Sequence, residues 1–501
     1  MKRASGILMH ISSLPGKFGI GTFGQEAYRF VDFLKASQQT YWQILPLTTT
    51  SYGDSPYQSF SAVAGNTNFI DFDLLIEAGW LSQDAYQGVS FANQEESVDY
   101  AHLFKVRRPI LEKAVETFLE ESSNQALLAE FEAQNASWLQ DYAEFMAIKE
   151  HFDHRALQEW GDQEALLRHE ATLAIYRQQL ATVITYHKVV QYFFFHQWQE
   201  LKAYANQAGI AIIGDMPIYV AADSVEVWTQ PRLFKLDSAK RPLYVAGCPA
   251  DDFSADGQLW GNPIYDWDYH RQTKFAWWVY RIKESFKLYD YLRIDHFKGF
   301  SDYWQIAADS ESAAIGSWQP GPGYDLFKTV KEQLGDMPII AEDLGYIDDK
   351  ARALLADCGY PGMKVLEFGF YDISGHSIDI AHRCVPNSVA YIGTHDNEVV
   401  NGWYDNLSNE QQTFVDDYTN RRPGQPINET MLKLLFSTTS QTVIASMQDV
   451  LDKGAESRMN LPSTVGGNWQ WRMRWEDLSP EKIDFLTAIT VLYERGRDED
   501  D

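Results

Sequence analysis

One pattern recurs along the chain: a short apolar run that ends in polar residues, often preceded by a stretch with helical spacing. The runs are SGILMH (5–10), YWQILPL (41–47), IAIIGDMP (210–217), YLRIDH (291–296), MPIIAED (337–343), MKVLEFGF (363–370), VAYIGTHD (389–396) and SRMNLP (457–462). Short continuous apolar runs with polar ends predict strands buried on both faces. FHQWQELKAYANQAG (195–209) before IAIIGD and LFKTVKEQLG (326–335) before MPIIAED carry helical spacing. Helix alternating with buried strand predicts an α/β protein with a parallel sheet, and eight such strands predict a (β/α)8 TIM barrel. A doubly wound open sheet is the alternative.

A plain barrel takes roughly 250 residues, so about half of the 501 residues must be insertion. The segment 97–190, rich in Glu, Ala, Leu and Gln, predicts a helical insertion subdomain. The segment 224–275, rich in Asp, Gly, Pro and Trp, predicts loops covering the site. The rest of 1–501 reads as one catalytic domain ending in a frayed acidic tail, RGRDEDD.

Charge narrows the partners. A formal net charge of −28 repels nucleic acid and anionic membranes and disfavours an anionic substrate, so a neutral one fits best. The opening residues lack a secretory apolar segment, and no window approaches a membrane span. Cys248, Cys358 and Cys384 are far apart and match no zinc spacing, which predicts free thiols in a reducing cytoplasm. Rings in loop-like contexts, SYGDSPYQSF (51–60) and GQLWGNPIYDW (257–267), are candidates for stacking on the apolar face of a sugar.

Four strand ends carry an acid: Asp215, Asp295, Glu342 and Asp396. In a parallel barrel they converge on one mouth, where crowding raises the cost of ionising each. Two carboxyl groups across a bond are the apparatus of glycoside chemistry, one a nucleophile and the other an acid/base. Arg293 shares a strand face with Asp295 and should lower its pKa; His296 and His395 are placed to hold sugar hydroxyls. Against this stand a structural Arg293–Asp295 pair, carboxylates that merely cap helices, and a metal site. No His-x-His, HExxH or Asp-rich loop is present, so no metal is assigned. Four acids beside loop aromatics favour a sugar site.

Together YLRIDHFKGF, IIAEDLG, YIGTHDN, GDMPIYVAADSVEVW (214–228), PADDFSADGQLWGNP (249–263), SPYQSFSAVAGN (55–66), YPGMKVLEF (360–368) and RMNLP (458–462) resemble the motif series of the 4-α-glucanotransferases. These are the amylomaltases or disproportionating enzymes, related to the α-amylase superfamily. The resemblance runs from residue 5 to near 472. It implies a barrel without a separate C-terminal β-sandwich; the composition implies no cofactor. The resemblance implies Asp295 as nucleophile, Glu342 as acid/base and Asp396 as transition-state stabiliser. Arg293, His395 and Asp215 then line the donor subsite, and Tyr57 of the Ser55–Tyr57 motif stacks on the donor sugar. Asp251, Gln258 and Trp260 belong to a substrate-covering loop, and His296 and Asn460 to the substrate contacts. Donor and acceptor would be maltooligosaccharides and other α-1,4-glucans, with glucose as acceptor and product, and the two catalytic carboxyls roughly 5–5.5 Å apart for a retaining reaction. An amylase-type hydrolase and a sugar-binding protein on a degenerate barrel are the competing readings. The motifs depart from the family pattern at Lys298, where arginine is usual, at Ser463, and at Glu367, which stands where a neutral glutamine is expected.

Overall fold

The computed structural model describes residues 2–51, 53–249, 257–345 and 347–497. Among them are twelve strands: β1 (Ala4–Leu8), β2 (Tyr41–Gln43), β3 (Ala211–Met216), β4 (Tyr244–Cys248), β5 (Gln258–Pro263), β6 (Tyr291–Ile294), β7 (Asp302–Ala307), β8 (Gly316–Pro320), β9 (Ile339–Ala341), β10 (Gly362–Val365), β11 (Ser388–Tyr391) and β12 (Thr442–Ser446). Eight lie parallel in the order β10-β11-β12-β1-β2-β3-β6-β9. The Ala341 N–H donates to the carbonyl of Pro361, just before β10, at 3.0 Å and brings the two ends of the sheet together. The result is a nearly closed barrel. Its strands are apolar because helices cover one side and the barrel interior the other: Ile212, Ile213, Leu292, Ile294, Ile340 and Val389 have no exposed surface.

Seven of the eight predicted strands are barrel strands. The eighth is not SRMNLP but Thr442–Ser446, TVIAS, which pairs with β1 and β11. Residues 457–462 instead leave a 3-10 turn, Ala455–Ser457, as a loop. Met459 is buried under that loop, where its sulfur accepts the Ser13 hydroxyl at 3.6 Å. The apolar signal was real, but its burial is beneath a loop rather than in the sheet.

Between β2 and β3 the chain runs through helices Tyr100–Glu120, Ser122–Gln134, Leu139–His151, Gln163–Leu166, Glu170–Gln179 and Ala181–Gln207. The last passes residue 190 and reaches the barrel, where the Trp198 indole donates to the Leu288 carbonyl at 3.1 Å. Within this region buried Glu150 accepts from His187 at 2.6 Å and Arg108 at 2.7 Å. Burial pushes Glu150 up, but these two partners win and hold it near about 2. Lys149 pairs with Asp223 at 2.5 Å and so ties the helices to a loop at the barrel mouth.

The segment 224–275 is not all loop. Its β4 and β5 join β7 and β8 in a four-stranded antiparallel sheet of order β5-β4-β7-β8. β4 finds its partner β7 only across β6, so the pairing is non-local and leaves no periodic signature in either strand. No helix among the described residues is long and apolar enough to cross a membrane. After β12 the described residues end in helix Pro480–Leu492.

Candidate active site

Asp215 in β3 and Arg293 in β6 are direct neighbours in the parallel register, so both side chains enter the barrel together. Arg293 Nη1 donates to the two Asp215 oxygens at 2.9 and 2.7 Å and to Asp295 Oδ1 at 3.0 Å. The Arg293 and Asp215 side chains are only 3% and 0% exposed. Asp215 also accepts the Tyr57 hydroxyl at 2.8 Å. The shared face of Arg293 and Asp295 follows from strand alternation. The expected depression of Asp295 does not appear, however. Burial outweighs Arg293, the Asp215 and Asp396 charges add to it, and the Asp295 carboxyl is pushed up to about 6. Arg293 is divided between two acids, so neither receives its whole field. Because Arg293 is what compensates buried Asp215, Arg293→Met should destabilise the fold by about 3–5 kcal/mol. Urea unfolding measures this; a loss under about 1 kcal/mol would show that Asp215 has other compensation.

Glu342 follows β9, and its backbone N–H donates to the Ile294 carbonyl at 3.0 Å. Its carboxylate accepts two backbone N–H groups, from His296 at 2.7 Å and Leu344 at 2.8 Å. His296 adopts a left-handed conformation (φ 50°, ψ 51°), which turns its N–H toward Glu342. The acid is therefore gripped by the residue next to Asp295. Burial, then the Asp295 charge, push Glu342 up to about 7 against the pull of Arg293 and the two N–H donors.

Asp396, on the loop after β11, is held the other way. Its Oδ1 accepts the Asn460 amide at 2.6 Å, and His395 Nε2 stands 3.3 Å from Oδ2. Burial favours the neutral acid, but His395 and Asn460 together keep Asp396 down at about 2. The same contact raises His395 above the usual imidazole value despite burial. Arg458 donates to the Asp396 carbonyl at 2.9 Å, and the Asn460 N–H to the His395 carbonyl at 3.1 Å. The RMNLP motif thus wraps the loop that carries Asp396, although it is no strand.

Tyr57 stacks on the His395 ring (5.2 Å, 11°), with Trp469 tilted against both. The Ser55 hydroxyl accepts the Tyr57 N–H at 3.2 Å and shapes the turn that carries it. On β5 the Trp260 indole donates to Gln258 at 3.1 Å and meets His296 edge-on (4.9 Å, 83°). Asp251 lies outside the described residues. Arg458 and Trp469 are site residues that sequence reasoning left out. Their signal was adjacency: one sits in RMNLP and the other in NWQWR.

The departures lie off the carboxylates. Buried Lys298 pairs with Asp302 at 2.7 Å and Asp348 at 2.9 Å. Glu367 is buried beneath Gly393, and burial together with Asp449 and Glu398 pushes it well above the usual carboxylate range. Among the described residues no three His, Cys, Asp or Glu side chains are grouped as a metal would need. What the site offers is two neighbouring carboxyls raised by burial and a fixed anion beside an imidazole. Paired carboxyls of this kind can serve glycoside chemistry.

A model of the 4-alpha-glucanotransferase family matches residues 9–478. A 4-alpha-glucanotransferase of Streptococcus pneumoniae is 52% identical over 495 residues, 99% of this chain and 98% of the relative. One from Clostridium butyricum is 45% identical over 489 residues, 97% of this chain and 100% of the relative. Among solved structures, the amylomaltase from Streptococcus agalactiae in complex with acarbose is similar at a TM-score of 0.98 and 64% identity, covering 99% of this chain and 100% of that one. The amylomaltase from Corynebacterium glutamicum shares the fold at a TM-score of 0.79 and 15% identity, over 99% of this chain and 75% of that one.

Proposed function

The chain belongs to the 4-alpha-glucanotransferase family, and we propose that Asp295 is its nucleophile, Glu342 its acid/base and Asp396 its transition-state anchor. The enzyme transfers segments of α-1,4-glucan from one chain to another. Asp295 attacks the anomeric carbon while Glu342 protonates the departing 4-oxygen, leaving a β-glucosyl ester on Asp295. An acceptor's 4-hydroxyl then gives its proton to Glu342 and attacks that ester, and an α-1,4 bond reforms with retention. Asp396 and His395 bind sugar hydroxyls more strongly as the ring flattens. Arg293, Asp215 and Tyr57 line the donor side; His296, Asn460, Gln258 and Trp260, with Asp251 from the resemblance, complete the substrate contacts. Glucose is the smallest acceptor. The 97–190 helices and the 224–275 segment are insertions in one catalytic domain, and free thiols support a cytoplasmic setting.

One observation carries this assignment. The Glu342 carboxylate is held at 2.7 Å by the N–H that follows Asp295, while Asp295 itself is bonded to Arg293 at 3.0 Å. Two adjacent carboxyls are thereby given different partners, a cation for one and neutral donors for the other.

Incubation with maltotriose alone tests the activity. Longer maltooligosaccharides plus glucose, with no gain in reducing ends, is the expected result. Shorter products with new reducing ends would mean hydrolysis, and no reaction would mean a binding protein.

The pH dependence follows from the two carboxyls. Turnover needs Asp295 ionised and Glu342 protonated, so kcat/KM should form a narrow bell, falling as pH drops below about 6 and as it rises above about 7. Both limbs belong to the pair. A flat profile over about pH 5–8 would contradict the assignment.

A further inference from the structure

We propose that Trp318, Trp304 and Leu259, on one face of the small antiparallel sheet, form a stacking platform for a length of α-1,4-glucan extending beyond the catalytic cleft on the Glu342 side. This rests on the assignment of Glu342 as the acid that protonates the leaving sugar.

The register sets out the platform. Leu259 lies opposite Gly247, Gly247 opposite Trp304, and Trp304 opposite Trp318. Directly opposed residues share a face, so these side chains form one row across all four strands. The row spans three strand spacings, ~14 Å. Gly247 contributes no side chain to it. Leu259 is 46% exposed and Trp318 40%. Trp304 is fixed beneath them: its indole donates to the Ala313 carbonyl at 2.8 Å, and its ring meets Trp318 edge-on at 5.3 Å. Two large apolar side chains left in water at the ends of one row, with half-buried Trp304 between them, mark a binding surface.

The row reaches the catalytic mouth at its Trp318 end. At the other end Trp260, next to Leu259 on β5 and on the opposite face of the sheet, contacts His296. Lys298 Nζ lies 4.5 Å from the centre of the Trp318 ring and is paired with Asp348, on the segment that follows Glu342. The Trp318 end of the face therefore adjoins the segment that follows Glu342.

Chemistry favours a glucan over other occupants. The chain's charge of −28 repels anionic partners. Indole rings accept the apolar face of a sugar, and Asp348, partly exposed and joined to Trp318 through Lys298, can accept sugar hydroxyls. The polymer itself is the substrate this enzyme holds a few residues away.

The test compares a long and a short substrate. Trp318→Ala should raise KM for amylose about tenfold, the worth of one ring contact, with kcat/KM on maltotriose changed by less than about twofold. Trp318→Phe should restore most of the amylose KM. A second readout needs no turnover: in an Asp295→Asn background, native gels containing amylose should retard the protein, and adding Trp318→Ala should weaken that retardation. Equal changes for both substrates, or unchanged retardation, would overturn the platform. So would a wild-type dimer that Trp318→Ala converts to monomer, since the face would then be a self-interface. Wild-type inactivity on maltotriose would instead count against the activity assignment, with the gel result still legible.

Discussion

Asp295→Asn should lose about 100,000-fold or more in glucan transfer, the scale seen when a covalent nucleophile is removed. The amide has the shape of the acid and can still accept from Arg293 Nη1, so the substitution takes away the attacking anion and little else. Stability should not fall with activity. Burial raises Asp295 above the ordinary carboxylate value, so above that value the ionised form is strained in the folded state and the neutral amide relieves it. The variant should melt no lower than the parent at neutral pH. A further control separates nucleophile from structural residue: in Asp295→Ala, azide supplied with a glucosyl fluoride donor should yield the β-glucosyl azide, because the small anion attacks from the vacated side. Transfer within about tenfold of the parent in Asp295→Asn would remove Asp295 from the mechanism.

Glu342→Gln should lose about 1,000- to 10,000-fold on maltooligosaccharides, the range for a general acid–base group. The loss should depend on the leaving group. Maltosyl departure needs a proton, whereas fluoride does not, so single-turnover formation of the glucosyl ester from a glucosyl fluoride should stay near the parent rate. Breakdown of that ester by a sugar acceptor still needs the base and should remain slow. With the group that rises to about 7 removed, the alkaline limb of the ester-forming step should vanish. The two backbone N–H groups reach different oxygens, His296 to Oε2 and Leu344 to Oε1, so the glutamine keeps one of these bonds and turns its amide nitrogen to the other N–H, at a cost of about 1–3 kcal/mol. An equal loss with both donors would mean that Glu342 positions the substrate and does not protonate it.

Different levels of organisation carried these conclusions. Seven barrel strands were legible because a strand buried on both faces must be apolar along its length, and the acids at Asp215, Asp295, Glu342 and Asp396 stood out at their ends. TVIAS and SRMNLP both join apolar residues to polar ones, so the local pattern does not tell the eighth strand from the loop. The antiparallel sheet escaped because β4 and β7 meet across β6, and side-chain pattern does not encode which distant edge a strand will find.

The site shows the same division. Residue identity determined which groups are present and that several acids would share one mouth; motif resemblance named their roles. Their ionisation was decided by the tertiary structure. Arg293 is shared with Asp215, so burial wins at Asp295; Asn460 and His395 converge on Asp396 from different segments, so there burial loses. Lys298 is accounted for by Asp302, Asp348 and Trp318, which surround it only in the folded chain. The sequence by itself determined the barrel and its chemical inventory, because strand burial and side-chain identity are local properties. Which carboxyl attacks, which gives a proton and which stays charged depends on the balance of desolvation and partner distances, and those distances exist only once the chain has closed.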